Sequence, residues 1–136
     1  KAESYLGSGA FSYTGLIEQL EFAGFSFDEA AYAADNCGAD WKEQAVKKAK
    51  SYTNSSAFSY TGLIDQLEYS GFTAEEAKYA ADNCEADWKE QAVKKALSYM
   101  NTFPDWTKSR LIEQLEFNGF TSEEAAYGAD NCGKSW

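Results

Sequence analysis

The sequence contains no histidine among its 136 residues. This absence removes the most common general base, the most common metal ligand and the side chain that titrates near neutral pH. The chain has a single proline and no run of about 18 apolar residues, so no transmembrane helix is predicted. Positive charge is also scarce, since 12 Lys and Arg stand against 22 Asp and Glu. The net charge of −10 argues against binding to nucleic acid or to anionic membranes.

Cysteine occurs three times, at Cys37, Cys84 and Cys132. No Cys-x-x-Cys spacing is present, so a zinc site is not expected. An odd number of cysteines at equivalent positions also disfavours internal disulfides. Cys37 continues a stripe of alanines at helical spacing, and the three thiols are therefore expected to be buried small apolar residues. No metal, cofactor or catalytic group is predicted, and the chain is not expected to be an enzyme.

An internal repeat dominates the sequence. Residues 1–47 and 48–94 are identical at 35 of 47 aligned positions. A third copy begins at Ala96 and carries one extra residue near Pro104. The predicted repeats are 1–47 and 48–95, each with a linker helix, and 96–136, which lacks a complete third helix. Because Lys1-Ala2 matches Lys48-Ala49, the printed N-terminus is expected to lie inside a helix.

Each copy has the signals of a helix-turn-helix pair followed by a longer helix. A Ser or Thr caps the first helix at its N-terminus, and a glycine stops it in the left-handed conformation. The second helix opens with a capping box, in which a Ser or Thr is followed three residues later by Glu. Asn36 is placed where a left-handed helix terminator would be useful. The first-helix caps are Ser12, Ser59 and Thr107, the stopping glycines are Gly24, Gly71 and Gly119, and the capping boxes are Ser26–Glu29, Thr73–Glu76 and Thr121–Glu124.

The third helix begins after Asp40 or Asp87 and contains neither Gly nor Pro before the next copy. We therefore expect a continuous linker helix of about 12–14 residues that ends near Asn54-Ser55-Ser56. The predicted fold is all-α: a tandem array of three small three-helix helix-turn-helix repeats joined by continuous linker helices. Its apolar second-helix face is small, Ala30, Ala33, Ala34 and Cys37 in the first copy, which allows close approach of helix backbones.

The candidate partner-binding residues are repeated tyrosines and the leading glutamates of the second helices. Tyrosine is a frequent anchor at protein interfaces, although these rings could instead close the edges of a small core. The candidates are Tyr13, Tyr60, Tyr32, Tyr79, Tyr127, Glu29, Glu76 and Glu124.

Nucleic-acid binding is the obvious alternative for a helix-turn-helix. Its second helix would enter the DNA groove, where Arg, Lys, Asn or Gln normally lead. Here each second helix opens with carboxylates, such as Asp28-Glu29, which would repel the phosphate backbone. DNA or RNA binding is therefore the less favoured reading.

The stretches Phe11–Phe25, Glu29–Trp41 and Glu43–Ala49 resemble the repeat of the Ltp-type host cell surface-exposed lipoproteins of Gram-positive bacteria and their prophages. The resemblance covers almost the whole chain three times, and it departs at Pro104-Asp105-Trp106. It implies a lipobox signal and a flexible stalk upstream, and a lipid-anchored, extracytoplasmic location. Phage-encoded members of the family confer superinfection exclusion by blocking injection of phage DNA, through a component such as the tail tape-measure protein.

The function expected from this resemblance is that of a monomeric, protein-binding ectodomain of a membrane-anchored lipoprotein that excludes superinfecting phage. The alternative is a cell-surface or cell-wall adhesion module for another partner. The membrane would be reached through the N-terminal lipid anchor alone.

Overall fold

The chain is built from helices. The computed structural model describes residues 2–136, and within this range there are nine α-helices and no β-strand. The predicted all-α class, with three helix-turn-helix copies and continuous helices between them, is confirmed. In chain order the helices are α1 (Ala2–Ser8), α2 (Tyr13–Phe22), α3 (Phe27–Asn36), α4 (Trp41–Ser55), α5 (Tyr60–Tyr69), α6 (Ala74–Asn83), α7 (Trp88–Thr102), α8 (Lys108–Phe117) and α9 (Ser122–Asn131).

Local capping side chains set where the paired helices begin. The Gly15 N–H donates to Ser12 Oγ at 2.9 Å before α2, and Thr107 caps α8 in the same way. The predicted capping boxes form before α3, α6 and α9. Before α3, the Glu29 N–H donates to Ser26 Oγ at 3.2 Å and the Ser26 N–H donates to Glu29 Oε1 at 2.8 Å. These bonds satisfy backbone donors that a helix N-terminus otherwise leaves unpaired.

Glycines end the first helix of each pair. Gly24, Gly71 and Gly119 have φ of 106°, 105° and 104°, which confirms their predicted left-handed conformation. The prediction for Asn36 is wrong, because this residue is the last of α3 and the left-handed position is Gly38, with φ of 74°. The helix extends to Asn36 because its side-chain amide donates back to a carbonyl one turn earlier, at 2.8 Å.

The two long helices, α4 and α7, each contain 15 residues, slightly more than predicted. Asp87 Oδ1 caps α7 by accepting from the Lys89 and Glu90 N–H groups at 3.1 and 3.2 Å. The predicted repeat boundaries at residues 47 and 95 fall inside α4 and α7, so each long helix continues from one copy into the next.

The contacts divide the chain into two compact units. The first contains residues up to Lys50 together with Ile64–Cys84, and the second contains Ser51–Leu63 together with Glu85–Trp136. In the first unit, α1, α2 and α3 share an apolar core. Its buried members are Ala2, Leu16, Ile17, Leu20, Ala30 and Ala34.

In the second unit, α7 and α9 approach closely because their facing residues are small. A Cβ on Gly128 would lie 2.8 Å from the Ala92 carbonyl oxygen, so the two backbones are nearly in contact there. Ala92 and Ala96 of α7 are fully buried in this core. Leu111 and Leu115 of α8 fill the remaining space and are likewise fully buried. Each fully buried leucine contributes about 1.5–3 kcal/mol of transfer free energy.

Side-chain hydroxyls join the start of one helix pair to the turn that follows the first helix of the next pair. In the first unit, Ser12 Oγ donates to the Ser70 carbonyl at 3.0 Å and Thr14 Oγ1 donates to the Gly71 carbonyl at 3.1 Å. Because Gly71 has no side chain, the hydroxyls can approach its backbone. The equivalent pairs in the second unit are Ser59 with Asn118, at 2.7 Å, and Thr61 with Gly119, at 3.4 Å.

Candidate partner-binding surface

The three glutamates predicted as contact residues are engaged in capping their own helices. Glu29 Oε1 accepts from the Ser26 N–H, and Glu76 and Glu124 accept in the same way from the preceding Thr residues, each at 3.0 Å. A carboxylate in this position also interacts favourably with the helix dipole. The structure thus gives these residues a role in the fold, and their role in partner binding stays a prediction.

Tyr13 and Tyr60 are half-buried and pack edge-on against tryptophans. The ring of Tyr13 lies 5.6 Å from that of Trp41, at an interplanar angle of 88°, and Tyr60 lies at the same distance from Trp88, at 90°. Edge-to-face packing of this kind adds about 0.5–1.5 kcal/mol to the burial of the rings. Both tyrosines therefore close the edge of a core, which is one of the two roles predicted for them.

The hydroxyl of Tyr13 has a specific partner. It donates to Asp35 Oδ1 at 2.7 Å. This hydrogen bond, with smaller effects of burial and of the Asp35 charge, raises the pKa of Tyr13 above 10.0. The phenol consequently keeps its proton in the folded protein to a higher pH than in the unfolded chain.

The second-helix tyrosines differ between copies. Tyr79 and Tyr127 are half-buried, with the Nζ atoms of Lys42 and Lys89 each 5.4 Å from the ring centroid. A cation over an aromatic face at this distance contributes about 0.5–1 kcal/mol at an exposed site. Tyr32 is 71% exposed and is the one of the three that is open to solvent.

Three exposed aromatic residues, which the sequence reasoning missed, stand at the last position of α2, α5 and α8. Phe22 is 87% exposed, Tyr69 is 88% exposed and Phe117 is 84% exposed. One exposed aromatic residue in a helical protein is unremarkable, but the same position is aromatic and open in all three copies. The signal was present in the sequence, since these aromatics recur outside the apolar stripe formed by Leu16, Ile17 and Leu20.

Carboxylates precede each of these aromatic residues by one and by four positions. Since residues four apart on a helix are neighbours, one carboxylate lies beside each ring. The six acidic side chains are exposed, and none makes an ion pair among the described residues. They are Glu18 and Glu21 with Phe22, Asp65 and Glu68 with Tyr69, and Glu113 and Glu116 with Phe117. We call these three groups the aromatic–acidic sites.

Over the described residues, no group of three or more His, Cys, Asp or Glu could hold a metal ion. In the same range, no helix is long and apolar enough to cross a membrane. The cysteines are free thiols: Cys84 and Cys132 are buried as predicted, whereas Cys37 is half-buried. The fold and the described surface define a tandem helical repeat protein in which exposed aromatic and acidic side chains recur in each copy.

The profile of the host cell surface-exposed lipoprotein family matches the chain three times, over residues 1–37, 40–84 and 87–132. The chain belongs to this family. Among solved structures, it is similar to Ltp, a superinfection exclusion protein from the Streptococcus thermophilus temperate phage TP-J34. The two are 33% identical, with a TM-score of 0.63 over 66% of this chain and 93% of that chain. No match is found among curated proteins.

Membership confirms the predicted resemblance and the predicted cell-surface location. The family is one of surface lipoproteins and not of enzymes. Each family match includes a long helix, or in the first copy α1, together with the pair of helices that follows it. Two of these matches therefore contain the residues of the cores formed by α1–α3 and by α7–α9.

Proposed function

We propose that this chain is a protein-binding ectodomain that protects a host cell against superinfecting phage by engaging the phage DNA-injection machinery, and that it has no catalytic activity. The family and the superinfection exclusion role of the similar Ltp support this proposal. The observation that carries it is the threefold repetition of an aromatic ring that is more than 80% exposed, near exposed carboxylates that make no ion pair among the described residues.

Exposed aromatic rings suit protein recognition for a physical reason. A large rigid ring loses little conformational entropy on binding and buries a large apolar area, so aromatic anchors often dominate interface energetics. The exposed carboxylates near each ring favour a partner segment of positive charge and speed its approach. They oppose nucleic acid, whose phosphates they would repel. The proposed partner is an injection component such as the tail tape-measure protein, engaged by a monomeric chain.

The test compares two variants of the lipid-anchored protein expressed on the host cell. The first replaces the exposed aromatics together, as Phe22→Ser, Tyr69→Ser and Phe117→Ser. The matched control is Phe27→Ser, which also removes an exposed aromatic ring, but from the start of α3, where the third copy has Ser122. Because all four side chains are open to solvent, surface amounts and thermal stability should stay close to those of the original protein.

The triple variant should lose protection against phage DNA injection while phage adsorption to the cell is unchanged. The Phe27→Ser control should keep protection. In purified form, binding to the phage tape-measure protein should weaken by at least about tenfold in the triple variant, since loss of one anchor costs about 2 kcal/mol or more. Full protection by the triple variant would contradict the assignment of the surface. Absence of protection by the original protein, with retained binding to cell-wall fractions, would favour the adhesion alternative.

A further inference from the structure

The first unit contains an open apolar groove. It begins at Ala2, at the N-terminal end of α1, and runs between the end of α2 and the outer face of α3. Its volume is about 480 Å³, and Leu20, Phe25, Tyr32 and Ala33 contribute to its walls. This groove is separate from the aromatic–acidic sites, whose residues are absent from its lining.

The equivalent surfaces of the other two copies are covered. Phe25 is 40% exposed, whereas the equivalent Phe72 and Phe120 are each 4% exposed. Tyr32 is 71% exposed, whereas its two equivalents are half-buried beneath lysine side chains. Since the three copies share their sequence pattern here, the difference arises from what lies on the surface and not from the surface itself.

In the covered copies, the first half of the long helix lies over the outer face of the second helix of the pair. Residues 41–49 and 88–96 are identical, with the sequence Trp-Lys-Glu-Gln-Ala-Val-Lys-Lys-Ala. In the second unit, Ala92 of this segment meets the backbone of α9 at Gly128, the position equivalent to Ala33. The alanine of the covering helix thus provides the close approach.

The lysine of the covering segment makes two further contacts. Lys89 Nζ lies 3.2 Å from a carboxylate oxygen of Glu123 and 5.4 Å from the centroid of Tyr127. Lys42 makes the same pair of contacts in the first unit, with Glu75 at 3.4 Å. The residue of the first copy equivalent to Glu123 is Asp28, which lines the groove and has no cationic partner among the described residues.

We propose that this groove is a docking site for one amphipathic helix of the Trp-Lys-Glu-Gln-Ala-Val-Lys-Lys-Ala type, joined to the N-terminal end of α1 and continuing its direction. Its alanine packs on Ala33, its aliphatic side chains cover Phe25, and its first lysine lies over Tyr32 and pairs with Asp28. The same chemistry occurs twice within the chain, and the groove offers each of the matching groups.

The experiment adds eight residues ahead of Lys1 that copy residues 40–47, Asp-Trp-Lys-Glu-Gln-Ala-Val-Lys. A control extension has the same length, but its alanine and its first lysine are replaced by glutamate. The copied extension should raise the Tm by several degrees and slow hydrogen exchange in α3, whereas the control extension should leave both unchanged. Equal Tm values for the two extended proteins would overturn the proposal.

A second variant tests the position of the added helix. Ala33→Leu places a large side chain where the docked helix must approach, so it should have little effect on the unextended chain but should abolish the gain from the copied extension. If the gain survives this substitution, the helix lies elsewhere and the proposal is wrong. A Tm of the unextended chain that rises with its own concentration would identify a second copy as the occupant and would also overturn the proposal.

Discussion

The turn glycines allow the contact between consecutive copies to be measured with a matched control. Gly24 and Gly71 belong to the same unit and have the same left-handed backbone, with φ of 106° and 105°. A Cβ on Gly71 would lie 2.6 Å from Ser12 Oγ and would also contact Thr14 Oγ1. At Gly24, nothing lies within 4 Å of the added atom. The variants Gly24→Ala and Gly71→Ala therefore share the same backbone strain, and only Gly71→Ala brings the added methyl group against neighbouring side chains.

The backbone cost is common to both variants and amounts to about 1–2 kcal/mol, since a side chain is strained at positive φ. Gly71→Ala must also displace the two hydroxyls, which breaks the hydrogen bonds from Ser12 to Ser70 at 3.0 Å and from Thr14 to Gly71 at 3.1 Å. Overpacking costs about 1–3 kcal/mol, and each lost hydrogen bond costs about 0.5–1.5 kcal/mol. Gly71→Ala should therefore lower the free energy of unfolding by about 2–6 kcal/mol more than Gly24→Ala.

Urea unfolding followed by far-ultraviolet circular dichroism measures both free energies. Gly119→Ala should resemble Gly71→Ala, because a Cβ on Gly119 would lie 2.7 Å from Ser59 Oγ and would also contact Thr61 Oγ1. If Gly24→Ala and Gly71→Ala agree within about 0.5 kcal/mol, the contact between consecutive copies contributes nothing to stability and the reasoning is refuted.

Three further substitutions test the interior and the raised pKa of Tyr13. Gln91→Leu removes the side-chain oxygen that accepts from the Phe58 N–H at 2.9 Å, and should lower the free energy of unfolding by about 1–3 kcal/mol. A loss below about 0.5 kcal/mol would show that this hydrogen bond does not stabilise the fold. Leu115→Ala, at a fully buried site, should cost about 2–5 kcal/mol in the same urea assay, and a cost under about 1 kcal/mol would contradict the described core. The raised pKa of Tyr13, held by its hydrogen bond to Asp35, contributes stability that is present below pH 10.0 and is lost as pH rises through the folded-state pKa. Tyr13→Phe should therefore reduce the fall in Tm above pH 10.0, and an unchanged fall would show that the bond does not hold the proton.

Much of the fold could be predicted because its signals are local. A capping box such as Ser26 with Glu29 involves residues three apart, so the sequence alone specifies its geometry. The same holds for Gly24, whose missing side chain permits the left-handed conformation. The prediction for Asn36 failed because an asparagine has two options at a helix end. Its backbone can adopt the left-handed conformation, or its side-chain amide can donate to a carbonyl of its own helix, and local sequence does not decide between the two.

The candidate surface was harder to predict because exposure depends on distant residues. Tyr32 and Tyr79 occupy the same position in nearly identical segments, yet one is open and the other lies beneath Lys42. The exposed rings of Phe22 and its equivalents could have been found from the helical pattern, since they recur outside the apolar stripe. Only the structure shows that these rings are more than 80% exposed to solvent.

The sequence alone specified the helical class, the repeat, the acidic charge and the N-terminal caps of the paired helices, because helical periodicity and capping involve residues a few positions apart. The tertiary structure decided which aromatic rings face solvent, which copy has an open groove and how closely α7 approaches α9 at Gly128. Those features depend on which helix lies against which, and the neighbours that bury a side chain are often dozens of residues away along the chain.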